Sequence, residues 1–230
     1  MIDYASWVSR AERFVRQLNY LPGEWGISVS VAPPLSKRKA DNLHKALPFG
    51  LPDPLREFYM MGSADCQCAY QWSPHKKDLP KLENVFPHMP EVYGGARIIA
   101  ASKLKKAHDV HEWVDGWDES LSEDQTKAKE IWLSTVPFVE IGNGDYLGLH
   151  VSPDQSSSPV VYLCHDDEEC PVTTISPSFD TFLADWETLY YIGPEIWMLG
   201  DFLDNEGAGP LNVEQEKTLA WRELVGKGKW

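Results

Sequence analysis

The chain has 230 residues, of which 43% are hydrophobic and 24% charged, a composition typical of a folded globular protein and unlike that of a disordered one. Its formal net charge of −14 argues against nucleic-acid binding, because phosphate recognition needs an excess of Lys and Arg. No apolar run approaches the roughly 18 residues that cross a bilayer, and the first residues lack the features of a secretion signal, so the sequence predicts a cytoplasmic protein.

The acidic residues are concentrated in the second half of the chain. Residues 131–216 contain 16 Asp and Glu but no Lys or Arg, whereas residues 1–130 are almost neutral, with 17 basic and 18 acidic side chains. A segment without one cation cannot neutralise itself locally, so we expect part of the surface to carry a strong negative potential. Such a surface would attract a basic protein. The alternative is that the acidity only keeps the protein soluble.

The first part of the chain has the periodicity and capping residues of helices. Apolar residues recur on one face from Trp7 to Leu18, which predicts an amphipathic helix. Ser36 is a candidate N-cap for a second helix, and Asp53 is a candidate N-cap for a third in the segment LPDPLREFYMMG. Gly62, the last residue of that segment, suits the C-terminal cap.

The middle of the chain is less regular. Residues 63–95 are rich in Pro and Gly and change period too often for an element to be assigned, and a strand is expected over residues 97–100. A charged loop then leads to a helix. Its Ser122 and Gln125 have the spacing of a capping box, in which each side chain satisfies a free amide of the other residue.

Four short apolar runs follow one another between residues 138 and 175, which favours an antiparallel meander. The first two are joined by Gly142-Asn143-Gly144-Asp145, a strong hairpin signal, because Asn and Gly both accept positive φ. Ser178 then caps a helix with a broad apolar stripe. Three acidic residues of this helix lie off the stripe and should face water: Asp180, Asp185 and Glu187.

Three segments in a fixed order carry a resemblance to a known family. They are LPDPLREFYMMG, then FVEIGNGDYLGLHVSPD followed by VVYLCHDDEE, and finally SFDTFLADWE. Together they resemble the SUKH superfamily, the Smi/Knr type of domain found in bacterial immunity proteins and fungal cell-wall regulators, over residues 35–195. The resemblance implies a non-enzymatic binding role, since bacterial members commonly neutralise toxins, often nucleases, by binding them, and fungal members act in signalling around wall synthesis.

The resemblance and the patterns together predict an α+β fold with a mostly antiparallel central sheet packed with helices. Residues 33–195 are expected to form the SUKH-like domain, and residues 1–32 an N-terminal helical extension. Residues 196–230 are expected to form a C-terminal helical tail that packs on the same domain, with its last helix over residues 213–225.

The segment CHDDEEC, which begins at Cys164, contains every common type of metal ligand. Zinc needs about four ligands, and Cys66 and Cys68 could join Cys164, His165 and Cys170, but these spacings are not those of common zinc modules. Calcium could bind the carboxylates, but the loop lacks the alternating ligands and the glycine of a known calcium loop. We therefore predict no metal or other cofactor. The segment is expected to be an exposed acidic turn that protects a hairpin edge, or part of a charged partner interface.

Other polar groups have a structural interpretation beside the functional one. Asp145 most simply serves the hydrogen bonds of its own turn. His108 and His111 lie one helical turn apart, but without the His-Glu-x-x-His order of a metalloprotease they are typical of a solvated helix face. The sequence contains no Gly-x-Ser-x-Gly elbow and no phosphate-binding Gly loop, so these motifs give no indication of a catalytic function.

The candidate partner-binding residues are acidic groups and the aromatic residues beside them. Trp113, Trp117 and Trp132 sit in acidic surroundings, where an exposed Trp could anchor a partner, although core packing is the simpler interpretation. The predicted contacts form two groups: Asp166, Asp167, Glu168 and Glu169, and Asp115, Asp118, Glu119, Trp113 and Trp117.

The sequence therefore predicts a non-enzymatic module that binds a basic protein through an acidic surface. The expected role is that of an immunity protein, in which carboxylates could take the positions of nucleic-acid phosphates on a nuclease toxin. One alternative is a fungal-type scaffold for cell-wall or signalling proteins. Another is a metal-dependent hydrolase that uses Cys164, His165 and Cys170, which predicts stoichiometric zinc.

Overall fold

The computed structural model describes residues 2–87, 89, 91–109, 114, 121–151, 158–165, 172–205 and 208–226. Within these residues the strands form two four-stranded antiparallel sheets and a separate hairpin, and helices pack against the sheets. This confirms the predicted α+β fold. Within the same residues, no helix combines the length and the apolar character that a membrane span requires.

The first sheet comes from the N-terminal half of the chain. Its edge strand β1 (Glu24–Val31) pairs with β2 (Cys66–Ser73). On its other side, β2 pairs with β3 (Val92–Gly94) and with β4 (Arg97–Ile98). The sequence did not predict β1, β2 or β3, so the N-terminal segment, expected to be helical, contributes a strand to this sheet.

The two faces of this sheet differ in chemistry because side chains alternate along each strand. On β2, Tyr70 and Trp72 face inward and are buried, whereas Gly26 and Ser28 of β1 lie on the outward face and are exposed. The inner face is covered by α1 (Tyr4–Gln17), which a short 3₁₀ turn continues to Tyr20. The predicted N-terminal helix is therefore correct, and it leaves the outward face of the sheet open.

Two short helices follow β1; the first starts at the predicted residue, and the second starts one residue earlier than predicted. α2 (Lys37–Ala46) begins after Ser36, but the Ser36 side chain makes no capping hydrogen bond. α3 (Asp53–Glu57) has Pro52 as its N-cap, so Asp53 is the first helical residue. The helix continues as a π-helical turn, Phe58–Gly62, so that Gly62 lies inside it.

The next two helices lie between strands in the sequence: the first between two strands of the first sheet, and the second between the two sheets. α4 (Leu79–Glu83) precedes β3, and α5 (Leu104–Asp109) follows β4. In α5, Leu104 and His108 are both buried, since residues four apart share one helix face. The expectation that His108 lies on a solvated face is therefore wrong. His111 lies outside the described residues.

The second sheet is the predicted meander. α6 (Glu123–Leu133) leads into it, and both bonds of its predicted capping box are present. The strands β5 (Thr135–Glu140), β6 (Tyr146–His150), β7 (Val160–Leu163) and β8 (Thr173–Ser176) pair in sequence order. The two sheets are joined beyond β4, where the amide of Ile99 donates to the carbonyl oxygen of Phe138 at 2.7 Å.

The helix after the meander is α7 (Phe179–Thr188), and Ser178 caps it as predicted. Its apolar stripe is buried, but its acidic residues do not simply face water. Asp180 accepts a hydrogen bond from the Tyr4 hydroxyl at 2.6 Å, and Glu187 forms an ion pair with Arg10. Because α1 packs alongside α7, the residues beside the stripe meet α1 and become its anchors.

The last part of the chain contains more than helices. After α8 (Ile196–Leu199) and a 3₁₀ turn, β9 (Leu203–Asn205) and β10 (Ala208–Leu211) form the separate hairpin. The final helix, α9 (Glu216–Val225), is shorter than predicted. Its Trp221 is fully buried and donates from Nε1 to the carbonyl oxygen of Leu189 at 2.8 Å, which ties the helix to the common core.

Candidate functional site

A cleft of about 690 Å³ opens over the outward face of the first sheet. Its floor is formed by β1 and β2 and includes the small residues Gly26, Ser28 and Ala69. One wall is formed by β3, β4 and the segment around the start of α8. The other wall is the turn between β5 and β6. Because small residues on a strand allow another group to approach the backbone closely, the cleft is shaped to receive a group from outside.

The first wall is aromatic and contains Trp197 of α8 and Tyr93 of β3. Their rings meet edge to face, with centroids 5.4 Å apart. Trp197 is nevertheless 47% exposed, so part of its apolar surface is accessible to another molecule. The amide of Gly193 donates to the carbonyl oxygen of Tyr93 at 3.1 Å, so the backbone before α8 is attached to β3.

The same segment carries the carboxylate of Glu195. Its Oε2 atom is buried and has no hydrogen-bond partner among the described residues. Burial raises the pKa of Glu195, whereas a hydrogen bond from its own backbone amide and the positive charge of Arg97 act in the opposite direction. Arg97 is exposed in the same cleft, yet no ion pair joins it to Glu195 among the described residues. The carboxyl group of Glu195 thus belongs to the lining of the cleft, and one of its oxygens lacks a hydrogen-bond partner among the described residues.

The opposite wall is the turn between β5 and β6. The amide of Gly144 donates to the carbonyl oxygen of Ile141 at 3.0 Å, and the amide of Ile141 donates to that of Asp145 at 2.9 Å. Gly144 has a φ of 101°, whereas Asn143 does not have positive φ. The predicted hairpin is thus present, but its turn has three residues and a bulge at Gly144 instead of two residues with positive φ.

Asp145 connects this turn to β7 and to the segment that follows it. Its side chain, which belongs to a residue only 1% exposed, accepts hydrogen bonds from Asn143 Nδ2 at 2.7 Å and from the Tyr162 hydroxyl at 2.6 Å. It also accepts from the backbone amide of His165 at 2.8 Å and contacts Nδ1 of the same residue at 2.7 Å. The turn interpretation of Asp145 was therefore incomplete, because most of these bonds leave the turn.

The hydrogen bonds also decide the charge of Asp145. Burial would raise the pKa of this carboxyl group, but the bonds from Tyr162, His165 and Asn143 outweigh burial and hold the pKa below its ordinary value. The Tyr162 hydroxyl accepts in turn from the amide of Ile196 at 3.1 Å. A continuous path of hydrogen bonds thus fixes both walls of the cleft relative to each other.

The residues predicted to contact a partner lie outside the described residues. They are Asp166, Asp167, Glu168, Glu169, Asp115, Asp118, Glu119, Trp113 and Trp117. Trp132, the third Trp in acidic surroundings, is buried in the core.

The candidate metal ligands are only partly described. Cys66, Cys68 and Cys164 are buried thiols, and Cys170 lies outside the described residues. Within the part of the chain that the structure describes, no three or more His, Cys, Asp and Glu side chains are grouped so that they could hold a metal ion. His165, the remaining member of the proposed cluster, is engaged through Nδ1 with Asp145.

Acidic residues of the segment 131–216 form ion pairs with basic residues from other parts of the chain. Glu187 pairs with Arg10 of α1, and Asp201 pairs with Lys217 of α9. Two of its acids are therefore paired with cations of neighbouring helices, which makes the surface potential less negative than the composition of the segment alone indicates.

The residues of the cleft were not predicted as a site. The alternation of apolar residues from Trp25 to Val31 could have revealed β1 and, with it, the exposed small residues. Glu195 and Trp197 follow a Gly-Pro turn, which is only a weak local signal. Their approach to β1 depends on tertiary structure and has no signature in the sequence.

The profile of the SMI1 / KNR4 family (SUKH-1) matches residues 34–185. A comparison with curated proteins gives no match. The matched region contains Arg97, Asn143 and Asp145, but it includes neither β1 nor the segment with Glu195 and Trp197. Five of the twelve residues that line the cleft therefore come from parts of the chain that flank the family domain.

Proposed function

The chain belongs to the SMI1/KNR4 (SUKH-1) family, and on this premise we propose that it is a non-enzymatic protein-binding module that serves as an immunity protein. The observation that carries the proposal is the cleft over the outward sheet face, with its floor of small residues and its exposed Trp197. A large aromatic side chain at the rim of an open depression is the usual anchor of a protein interface.

The proposed partner is a basic protein, namely a nuclease toxin, and electrostatics supports this choice. The net charge of −14 would speed the encounter with a basic protein and disfavour acidic competitors. The cleft would supply the buried contacts that give affinity. On the sequence alone, we also propose that the two acidic groups named above, which begin at Asp115 and Asp166, steer the approach of the partner.

Growth rescue tests the proposal. The protein is co-expressed with the toxin-bearing protein encoded beside its gene, and survival of the host is measured together with binding of the purified proteins by calorimetry. We expect rescue by the wild type and loss of rescue with Ser28→Arg, which fills the cleft floor and repels a basic partner. Ser9→Arg is the matched control, because Ser9 is exposed on α1, which covers the opposite face of the sheet.

Two results would contradict the proposal. Absence of both binding and rescue by the wild type would remove the immunity role. Equal rescue by Ser28→Arg and Ser9→Arg would show that the cleft is not the interface. Charge reversal at Asp166, Asp167, Glu168 and Glu169 is expected to slow association by about tenfold at low salt and much less at high salt, since steering is screened by ions.

A further inference from the structure

The carboxyl group of Glu195, which lines the cleft, points to the chemistry of the group that enters it. A buried acceptor without a partner is costly, so its buried Oε2 atom calls for a donor such as a bound water, an ion or a ligand. What satisfies a carboxylate oxygen is a hydrogen-bond donor, and a charged donor does so most strongly. The group that completes Glu195 is therefore a donor and is best a cation.

The aromatic wall beside Glu195 selects the same kind of group. Tyr93, Glu195 and Trp197 line the same cleft. Burial, together with the charges of Glu195 and Glu91, raises the pKa of Tyr93 to about 12. Trp197, packed on Tyr93, offers the ring type that attracts cations most strongly. Aromatic rings next to a carboxylate form a pocket for a positive charge.

Arginine suits this pocket better than lysine does. The guanidinium group is planar, stacks on aromatic rings and is less strongly hydrated than an ammonium group, so it enters a partly buried site more readily. Arg97 of the chain itself does not occupy the position, because it forms no ion pair with Glu195 among the described residues. The acceptor is therefore left for a group from another molecule.

We propose that the cleft binds an arginine side chain of the protein partner, with Glu195 accepting its hydrogen bonds and Trp197 and Tyr93 stacking against its guanidinium group. This inference rests on the proposed protein-binding function and names the chemical group that the partner must present. The small side chains of Gly26 and Ser28 leave room on the cleft floor for the backbone that carries the arginine.

A short peptide tests this without the partner. Acetyl-Gly-Arg-Gly-amide is titrated into the ¹⁵N-labelled protein, and the neutral isostere with citrulline in place of arginine is titrated in parallel. We expect saturable NMR shifts of the Trp197 indole and of the amides of Gly26 and Ser28 with the arginine peptide, at least about tenfold weaker binding of the citrulline peptide, and intermediate binding of a lysine peptide.

Variants assign the binding to the named groups. Glu195→Gln should weaken binding of the arginine peptide at least about tenfold, because the charged acceptor is lost. This variant should fold at least as stably as the wild type, since it removes a partly buried charge. Trp197→Ala should weaken binding about threefold or more. Glu24→Gln is the matched control, because Glu24 is exposed at the start of β1 and outside the cleft.

The inference is overturned if the arginine peptide causes no saturable shifts, if the citrulline peptide binds equally well, or if Glu195→Gln binds like Glu24→Gln. Its failure is distinct from failure of the immunity role, because growth rescue does not depend on which side chain occupies the cleft. Rescue that survives Glu195→Gln but not Ser28→Arg would keep the interface and reject the arginine.

Discussion

Replacement of Asp145 by Ala removes the acceptor that joins the β5–β6 turn to β7. Three residues then lose hydrogen bonds that they donate to this carboxylate: Asn143, Tyr162 and His165. Tyr162 matters most, because the residue is fully buried and its hydroxyl donates to Asp145 at 2.6 Å. The variant therefore leaves a polar group in the core without its acceptor, while the groups nearer the surface can turn to water.

The expected loss is a large part of the stability of a domain. A buried donor without an acceptor costs about 1–3 kcal/mol, and the loss of the bonds to the charged carboxylate adds to this, which gives a total of roughly 3–5 kcal/mol. Native domains are stable by only about 5–15 kcal/mol. Asp145→Ala should therefore shift the unfolding midpoint strongly, although the chain should still fold.

Urea unfolding followed by circular dichroism at pH 7 measures the effect. Asp204→Ala is the matched control, because Asp204 is exposed on β9 and its loss should cost about 0.5 kcal/mol or less. If Asp145→Ala and Asp204→Ala differ by less than about 1 kcal/mol, the network does not hold the two walls together and our account of the cleft is wrong.

The pH dependence gives a second measurement on the same pair. The folded-state pKa of Asp145 lies below the ordinary value of 3.8, so its carboxylate contributes stability that is fully present above that value. This contribution is lost as the pH falls through the lower, folded-state pKa. The difference in stability between wild type and Asp145→Ala should thus be constant from pH 7 to about pH 5 and shrink below pH 4.

Three other substitutions test the fold. Trp221→Ala should lower the free energy of unfolding by about 3–5 kcal/mol, because it empties a buried site and removes the hydrogen bond to Leu189. A loss under about 1 kcal/mol in urea unfolding would mean that α9 is dispensable for stability. Gly95→Ala should lower the melting temperature sharply, since Gly95 has a φ of 125° and a Cβ would collide with the Cys68 carbonyl oxygen; an unchanged melting temperature would contradict this backbone path. Ser122→Ala should cost about 1 kcal/mol in urea unfolding through loss of its capping bond, and no change would show that the cap contributes nothing.

Elements with local signals could be predicted from the sequence. Ser122 and Ser178 cap helices because their side chains bond to amides only three residues away, and such a pattern is complete within a few residues. The strands of the meander could be found for the same reason, since each is an apolar run bounded by turn residues. The order of these elements then led to the family, which the profile match confirms.

Contacts between distant elements could not be predicted in this way. Asp180 and Glu187 were expected to face water because the helix pattern alone does not show that α1 lies beside them. Glu195 became a candidate only when the fold placed it beside Tyr93 and over β1. A helical or alternating pattern tells which face of an element is buried, but it does not tell which element covers the other face.

The cleft takes its floor from a strand near the beginning of the chain and one wall from a helix close to its end. Such contacts between distant parts of a sequence form late, because the intervening loops must close first. A nascent chain that has not yet reached α8 would thus lack the proposed recognition surface even if the family domain had folded. In the proposed immunity role, synthesis of this late segment sets the earliest moment at which the partner can be captured.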